Sequence, residues 1–201
     1  MTLVTAMTSD TAPLLLRDHF ANGDPGPLVG VLAQVPELCD VTLPFIGAAL
    51  GASAVTGRRK EIAIVRTSAN LACRFCTDTH TVVGADHGLT GQELRALRGE
   101  VDIDAAFTSR AERALIDWVD ALSLGVGPVN PLVAVTAKGL LGDHQLVEIT
   151  VTVGATMMLN RLATGLDLPV SAATRAGLDD LGLGALPPQA PTTRSSRKDL
   201  S

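Results

Sequence analysis

The chain has no tyrosine, one tryptophan and four phenylalanines in 201 residues. Its core must therefore be built from Leu, Val, Ala and Ile, and an Ala- and Leu-rich core favours helices. The same scarcity removes whole functions. A single-stranded nucleic-acid site needs several aromatic platforms, which this chain cannot supply. A formal net charge of −5 also argues against a phosphate-backbone partner. No phenol is available as an acid or a nucleophile.

Turn and cap residues divide the chain into helical segments. Asn22-Gly23-Asp24-Pro25-Gly26-Pro27 is a dense turn signal, so residues 1–24 read as a weakly patterned N-terminal segment. Helices are expected from Pro27 to about Val35 and from Glu37 to Leu50. Two more are expected at Arg58–Leu71 and Ala72–His87, with Ile62, Val65 and Ala69 on one side of the first. Thr90-Gly91-Gln92-Glu93 and Ser109-Arg110-Ala111-Glu112 read as capping boxes, the second opening a long helix. Helices at Pro131–Leu141 and Asp143–Ala163 follow, then a short one at Ser171–Leu181. Glu148–Val153 (EITVTV) could locally be a strand, but its helical surroundings favour helix. A helical domain is expected over 25–183. The Pro/Ser/Thr-rich tail, 184–201, is expected to be disordered.

The N-terminus carries no Lys or Arg before Arg17, so it lacks a secretory n-region. The most apolar late stretch, Ile149–Leu159, is shorter than the ~20 residues of a spanning helix. The expectation is a soluble, cytoplasmic protein without a membrane partner.

Three cysteines, Cys39, Cys73 and Cys76, make no disulfide framework for a secreted chain. Cys39 lies among Leu38, Val41 and Leu43 and reads as core packing. The chemistry concentrates in Glu61-x11-Cys73-x2-Cys76-x3-His80. On a helix, Cys73, Cys76 and His80 fall on one side. A thiol in a first helical turn feels the positive end of the dipole, which lowers its pKa and raises its reactive thiolate fraction. His80 can carry a proton, and Glu61 on the preceding helix could set its tautomer. Two adjacent thiols permit attack by one and resolution by the other.

Other readings of these residues compete. Two buried, inert thiols are one. A zinc site from Cys73, Cys76, His80 and His87 is another, though one continuous helix wraps a tetrahedron poorly. Haem attachment fails, because Thr77 follows Cys76. His87 beside Gly88 reads as a helix-end residue, and Glu148 as structural. Arg66 and Arg161 could serve subunit contacts or hold an anion. Met157 and Met158 read as core. Glu61-Ile62-Ala63-Ile64-Val65 also echoes Glu148-Ile149-Thr150-Val151-Thr152, and Cys73-Arg74-Phe75-Cys76 then faces Asn160-Arg161-Leu162-Ala163. This suggests a loose internal repeat of a helical hairpin, with thiols in the first copy only.

The run KEIAIVRTSANLACRFCTDTHTVVGADHGLT resembles the carboxymuconolactone decarboxylase superfamily, in its alkylhydroperoxidase D-like branch. Glu61, Cys73, Cys76 and His80 match that branch's marker positions, and the likeness extends over roughly 25–170. The resemblance implies an all-α alkylhydroperoxidase D-like fold forming homo-oligomers, trimers or hexamers. It implies thiol-dependent reduction of hydroperoxides through a Cys73–Cys76 disulfide, re-reduced by a dithiol partner protein. Cys76 would attack, Cys73 resolve, and Glu61 and His80 relay protons, with no metal or other cofactor. Alkylhydroperoxidase D itself carries a second His between the cysteines. Here Phe75 stands there, which implies a drier thiol pocket. A lactone decarboxylase-like lyase and a non-catalytic redox-sensing oligomer are the alternative functions.

Overall fold

Prolines and polar caps open most of the helices. The structure is a computed structural model and describes residues 2–187. A 3-10 helix, Leu14–Phe20, is followed by α1 (Pro27–Leu32), α2 (Pro36–Leu50), α3 (Gly57–Asn70) and α4 (Arg74–Asp86). Then come α5 (Gly91–Leu97), α6 (Ile103–Ala106), α7 (Arg110–Leu124), α8 (Pro131–Gly165) and α9 (Ala172–Asp180). The described residues contain no strand, and EITVTV lies within α8. Pro27, Pro36 and Pro131 each occupy a first helical turn, where a missing N–H costs nothing. Thr90 and Glu93 satisfy each other's backbone donors, as expected of a capping box. The second expected box is half-formed. Ser109 accepts from the Glu112 N–H, but the Glu112 carboxylate turns to Arg58 instead of back to the cap.

α3 runs through the centre, packed against α4, α5, α7 and α8. The sequence suggests a one-sided helix, but α3 is enclosed nearly all round. Ala63 and Ile64 are buried along with Ile62 and Val65, and so are Lys60 and Glu61. Ile62 and Val65 join Leu94, Leu115, Val119 and Ile149 in the main core, together with Phe107. At about 25 cal/mol per Å² of apolar surface removed from water, such burial supplies the main drive for folding.

α8 spans 35 residues and is broken at Gly142, whose φ of 76° ends one helix and starts another. This is the expected pair of helices, joined at a glycine. By length and composition α8 could cross a membrane, but Ala137, Leu141, Ile149 and Val153 sit in the protein core. Beyond Gly142 it stays helical through Asn160–Ala163. The stretch that echoes Cys73–Cys76 therefore lies inside a helix, where Cys73–Cys76 lies at a turn.

Three further features differ from the sequence reading. α6, four residues long, is too short for periodicity to reveal. The weakly patterned N-terminal segment contributes core residues, since Leu16 and Phe20 are buried beside Leu32 and Cys39. The chain also stays attached past residue 183. Arg98 donates to Gly184 O (2.6 Å), and Leu186 N–H donates to Asp78 (3.3 Å). The rest of the expected disordered tail lies outside the described residues.

Candidate active site

The dithiol is set by the turn between α3 and α4. Cys73 N–H donates to Ser68 O and Ala72 N–H to Ala69 O, both at 2.9 Å. These two bonds form a Schellman motif, which closes α3. The motif needs a left-handed residue, and here it is Ala72, with φ of 58°. An L-residue in that region costs roughly 1–2 kcal/mol, so the surrounding packing must hold the turn. The next residue, Cys73, is already the N-cap of α4. One cysteine thus ends α3 and begins α4, and Cys76 follows in the first turn.

Both thiols are buried, with Cys73 1% and Cys76 6% exposed. They share an apolar cluster with Val31, Ala163 and Leu168, and Phe75 packs against it. The Cys76 thiol hydrogen-bonds to the Cys73 sulfur and draws the Cys73 pKa down to about 7, against the opposing effect of burial. The Cys76 backbone N–H, the Thr164 side chain and the charge of Arg161 pull the same way. Cys76 moves oppositely. Its bond to Cys73 comes first, then burial, and both push its pKa well above the ordinary value. The first negative charge on the pair therefore rests on Cys73, at the positive end of α4. The resemblance assigns the attack to Cys76, so thiolate and attacker are different residues in the resting pair.

His80 lies one turn beyond Cys76. Its Nδ1 is 2.9 Å from Glu61 Oε2. Glu61 is buried, and the His80 side chain is 23% exposed, so the imidazole bridges core and solvent. A carboxylate accepting from Nδ1–H leaves Nε2 as the free, basic nitrogen. α3 supplies Glu61, α4 supplies His80 and Cys76, and the turn supplies Cys73. All four residues singled out from the sequence lie on this one α3–α4 unit.

The zinc reading does not survive the geometry. His87 is the C-cap of α4, against Gly57, and at ~1.5 Å per residue it lies about 16 Å along the axis from Cys76. Among the described residues no three His, Cys, Asp or Glu side chains converge as metal ligands. Cys39 is fully buried, as expected of core packing, and burial raises its pKa. Arg66 grips Asp120 with two bonds of 2.7 and 2.8 Å, and so braces α3 against α7. Arg161 is exposed and acts on Cys73 by its charge. Met157 packs on the core, whereas Met158 is exposed, so only the first fulfils the core reading.

Several residues around the site gave no sequence signal. Asp78, between Cys76 and His80, is fully buried, and burial raises its pKa against the pull of Arg98 and Arg74. It ties α4 to Arg98 and to the chain at Leu186. Ser68 hydrogen-bonds to Asn160 of α8 (3.1 Å) beneath the Schellman turn. Lys60 is fully buried, 2.8 Å from Glu148 and bonded to Ala49 O and Thr152.

The profile of the carboxymuconolactone decarboxylase family matches residues 36–121, which include all four site residues. Over that stretch the chain is similar to the carboxymuconolactone decarboxylase family. Solved structures extend the likeness to the fold around that stretch. A protein of unknown function from Agrobacterium tumefaciens, suggested to be an antioxidant defence protein AhpD, is 24% identical. The match covers 71% of this chain and 96% of that one, at a TM-score of 0.63. A peroxidase-related alkylhydroperoxidase AhpD core protein from Ralstonia eutropha JMP134 is 16% identical, over 93% and 98% of the chains, at a TM-score of 0.76. The debrominase Bmp8 is 19% identical, over 90% and 98%, at 0.73. No curated protein matches the chain. The matched stretch is thus embedded in an all-α, alkylhydroperoxidase D-like fold.

Proposed function

We propose that this protein is a thiol-dependent peroxidase that reduces hydroperoxides through a Cys73–Cys76 disulfide. The observation that carries the reading is the 2.9 Å contact between Glu61 and His80, one helical turn from a buried dithiol whose first charge forms near neutral pH. His80 Nε2 takes the Cys76 proton as the Cys76 sulfur attacks the terminal peroxide oxygen. The O–O bond breaks, and the leaving alkoxide takes that proton back from His80. Cys76 is now a sulfenic acid. The Cys73 thiolate attacks the Cys76 sulfur, the S–O bond breaks, and the leaving hydroxide takes a proton from solvent to become water. The peroxide has gained two electrons and the dithiol has lost two. A dithiol reductant restores the pair by attack at Cys76, where Cys73, the stabilised thiolate, is the better leaving group. The homo-oligomer and the reductant protein belong to this proposal.

Replacing Cys76 with Ser is expected to abolish consumption of organic hydroperoxide in a coupled assay with a dithiol reductant. Dimedone should label Cys76 as a sulfenic acid in Cys73→Ser and should leave Cys73 unlabelled in Cys76→Ser. Full consumption by Cys76→Ser, or labelling at Cys73 in the Cys76→Ser protein alone, would reverse the roles.

A second reading rests on the debrominase, whose cysteine-to-alanine form is known in complex with 2,3,4-tribromopyrrole. An apolar thiol site could equally take a halogenated ring. Release of bromide from that pyrrole, without hydroperoxide consumption, would favour it. Turnover that survives alkylation of both thiols would instead favour a lyase. A disulfide that changes assembly without turnover would favour a redox sensor.

A further inference from the structure

The dithiol is roofed by chain that precedes the matched stretch. Leu3 N–H donates to Leu166 O (3.0 Å) at the end of α8, and Met7 N–H donates to Gly30 O (2.9 Å). Gln34 Nε2 reaches back to Thr5 O (2.6 Å). Ala6, Leu28 and Val31 join the apolar cluster that holds both sulfurs. Gly30 is where the two passes of this segment meet. A Cβ there would lie 2.8 Å from Met7 O and 2.9 Å from Ala6 Cβ, so a larger residue must push residues 6–7 away. The seat is also light. Ala6 offers one methyl group, and Leu3 is 76% exposed beside its single backbone bond. Residues 3–7, with so few buried contacts of their own, open before the core does.

Thiol–disulfide exchange needs a thiolate to reach a sulfur directly. A reductant protein cannot do so at sulfurs that are 1% and 6% exposed, whereas a molecule of a few atoms meets far less obstruction. We propose that residues 3–7, seated on α1 and the end of α8, are a strap that gates the dithiol. Seated, it admits small uncharged oxidants and shuts out bulky reagents. It must part before the Cys73–Cys76 disulfide can be reduced, and this second clause rests on the peroxidase reading.

The test compares two thiol reagents on the reduced full-length protein carrying Cys39→Ala, so that only Cys73 and Cys76 react. One is 5,5′-dithiobis(2-nitrobenzoate), bulky and dianionic. The other is methyl methanethiosulfonate, small and uncharged. The ratio of their rates cancels any common change in thiolate fraction. In the parent, the bulky-to-small ratio should fall about tenfold or more below that of the urea-unfolded chain. Gly30→Val should recover most of that loss. So should Met7→Pro, which removes the N–H that bonds Gly30 O without altering Gly30. Circular dichroism confirms that each variant is folded. A parent ratio equal to the unfolded one overturns the proposal with no variant needed. A ratio unchanged in whichever variants fold overturns it as well. Labelling requires no turnover. A shielded dithiol in a protein that consumes no hydroperoxide would keep the strap and sink the peroxidase reading.

Discussion

Lys60 and Glu61 are consecutive on α3, both are buried, and each meets an opposite partner on another helix. Their environments differ in one respect that decides their roles. Lys60 is sealed between α2 and α8, with Glu148, Ala49 O and Thr152 as fixed partners. Glu61 faces α4 and meets His80, which reaches solvent. Three oxygens on α2 and α8 fix the Lys60 ammonium in place, so that side is a brace. The His80 imidazole joins the buried carboxylate to solvent, so the other side has the geometry of a relay. Two glutamates that echo each other in sequence, Glu61 and Glu148, are thus divided by the base each one faces. Burial pushes Glu148 up, but the bond and charge of Lys60, with the bonds from Ser53 and Val55, together hold its pKa below the ordinary value.

The comparison is broken most sharply at Lys60. Lys60→Met leaves Glu148 without its cation and should cost about 3–5 kcal/mol in urea unfolding. The double variant Lys60→Met/Glu148→Leu should recover much of this, because it removes both charges. A loss below about 1 kcal/mol for the single variant would end the brace argument.

The relay side is tested by the two glutamates. Glu61→Gln should lower hydroperoxide turnover about 100-fold with little change in Tm, since a glutamine no longer stabilises the charged imidazole. Glu148→Gln should lower Tm while turnover per folded molecule holds. If the two variants exchanged these phenotypes, the division of labour would be wrong.

The smallest effect is a titration. Thiolate absorbance should be absent at acid pH and should rise as pH passes about 7, the value at which Cys73 ionises. Cys76→Ala removes the largest cause of that lowering. The midpoint should then move upward, toward the ordinary value of 9.0. An unmoved midpoint would assign the charge to the helix end alone.

The Glu61–His80 pair was legible in the sequence and the Lys60–Glu148 brace was not. Glu61, Cys73, Cys76 and His80 sit within twenty residues at helical spacings, and their residue types already speak of proton and thiol chemistry. The helix order follows from the same local signals, Pro at first turns and Thr or Ser at caps. Lys60 looks like an ordinary surface charge, because its partner hydroxyl on Thr152 is 92 residues away. Asp78 is hidden in the same way, with Arg98 and Leu186 brought to it only by the folded chain. Spacing also cannot say which of two thiols holds the charge. That depends on hydrogen-bond direction and on α8, through Thr164 and Arg161.

The Schellman turn at Ser68–Cys73 also works as a ruler. It allows no slack between the two helices, because a single residue closes one and opens the next. Each residue added or removed there would rotate α4 by about 100° against α3. His80 would then swing off Glu61, and both thiols would leave their apolar cover. The eleven residues between Glu61 and Cys73 are therefore a fixed gauge length, and a deletion within them should be less tolerable than most substitutions.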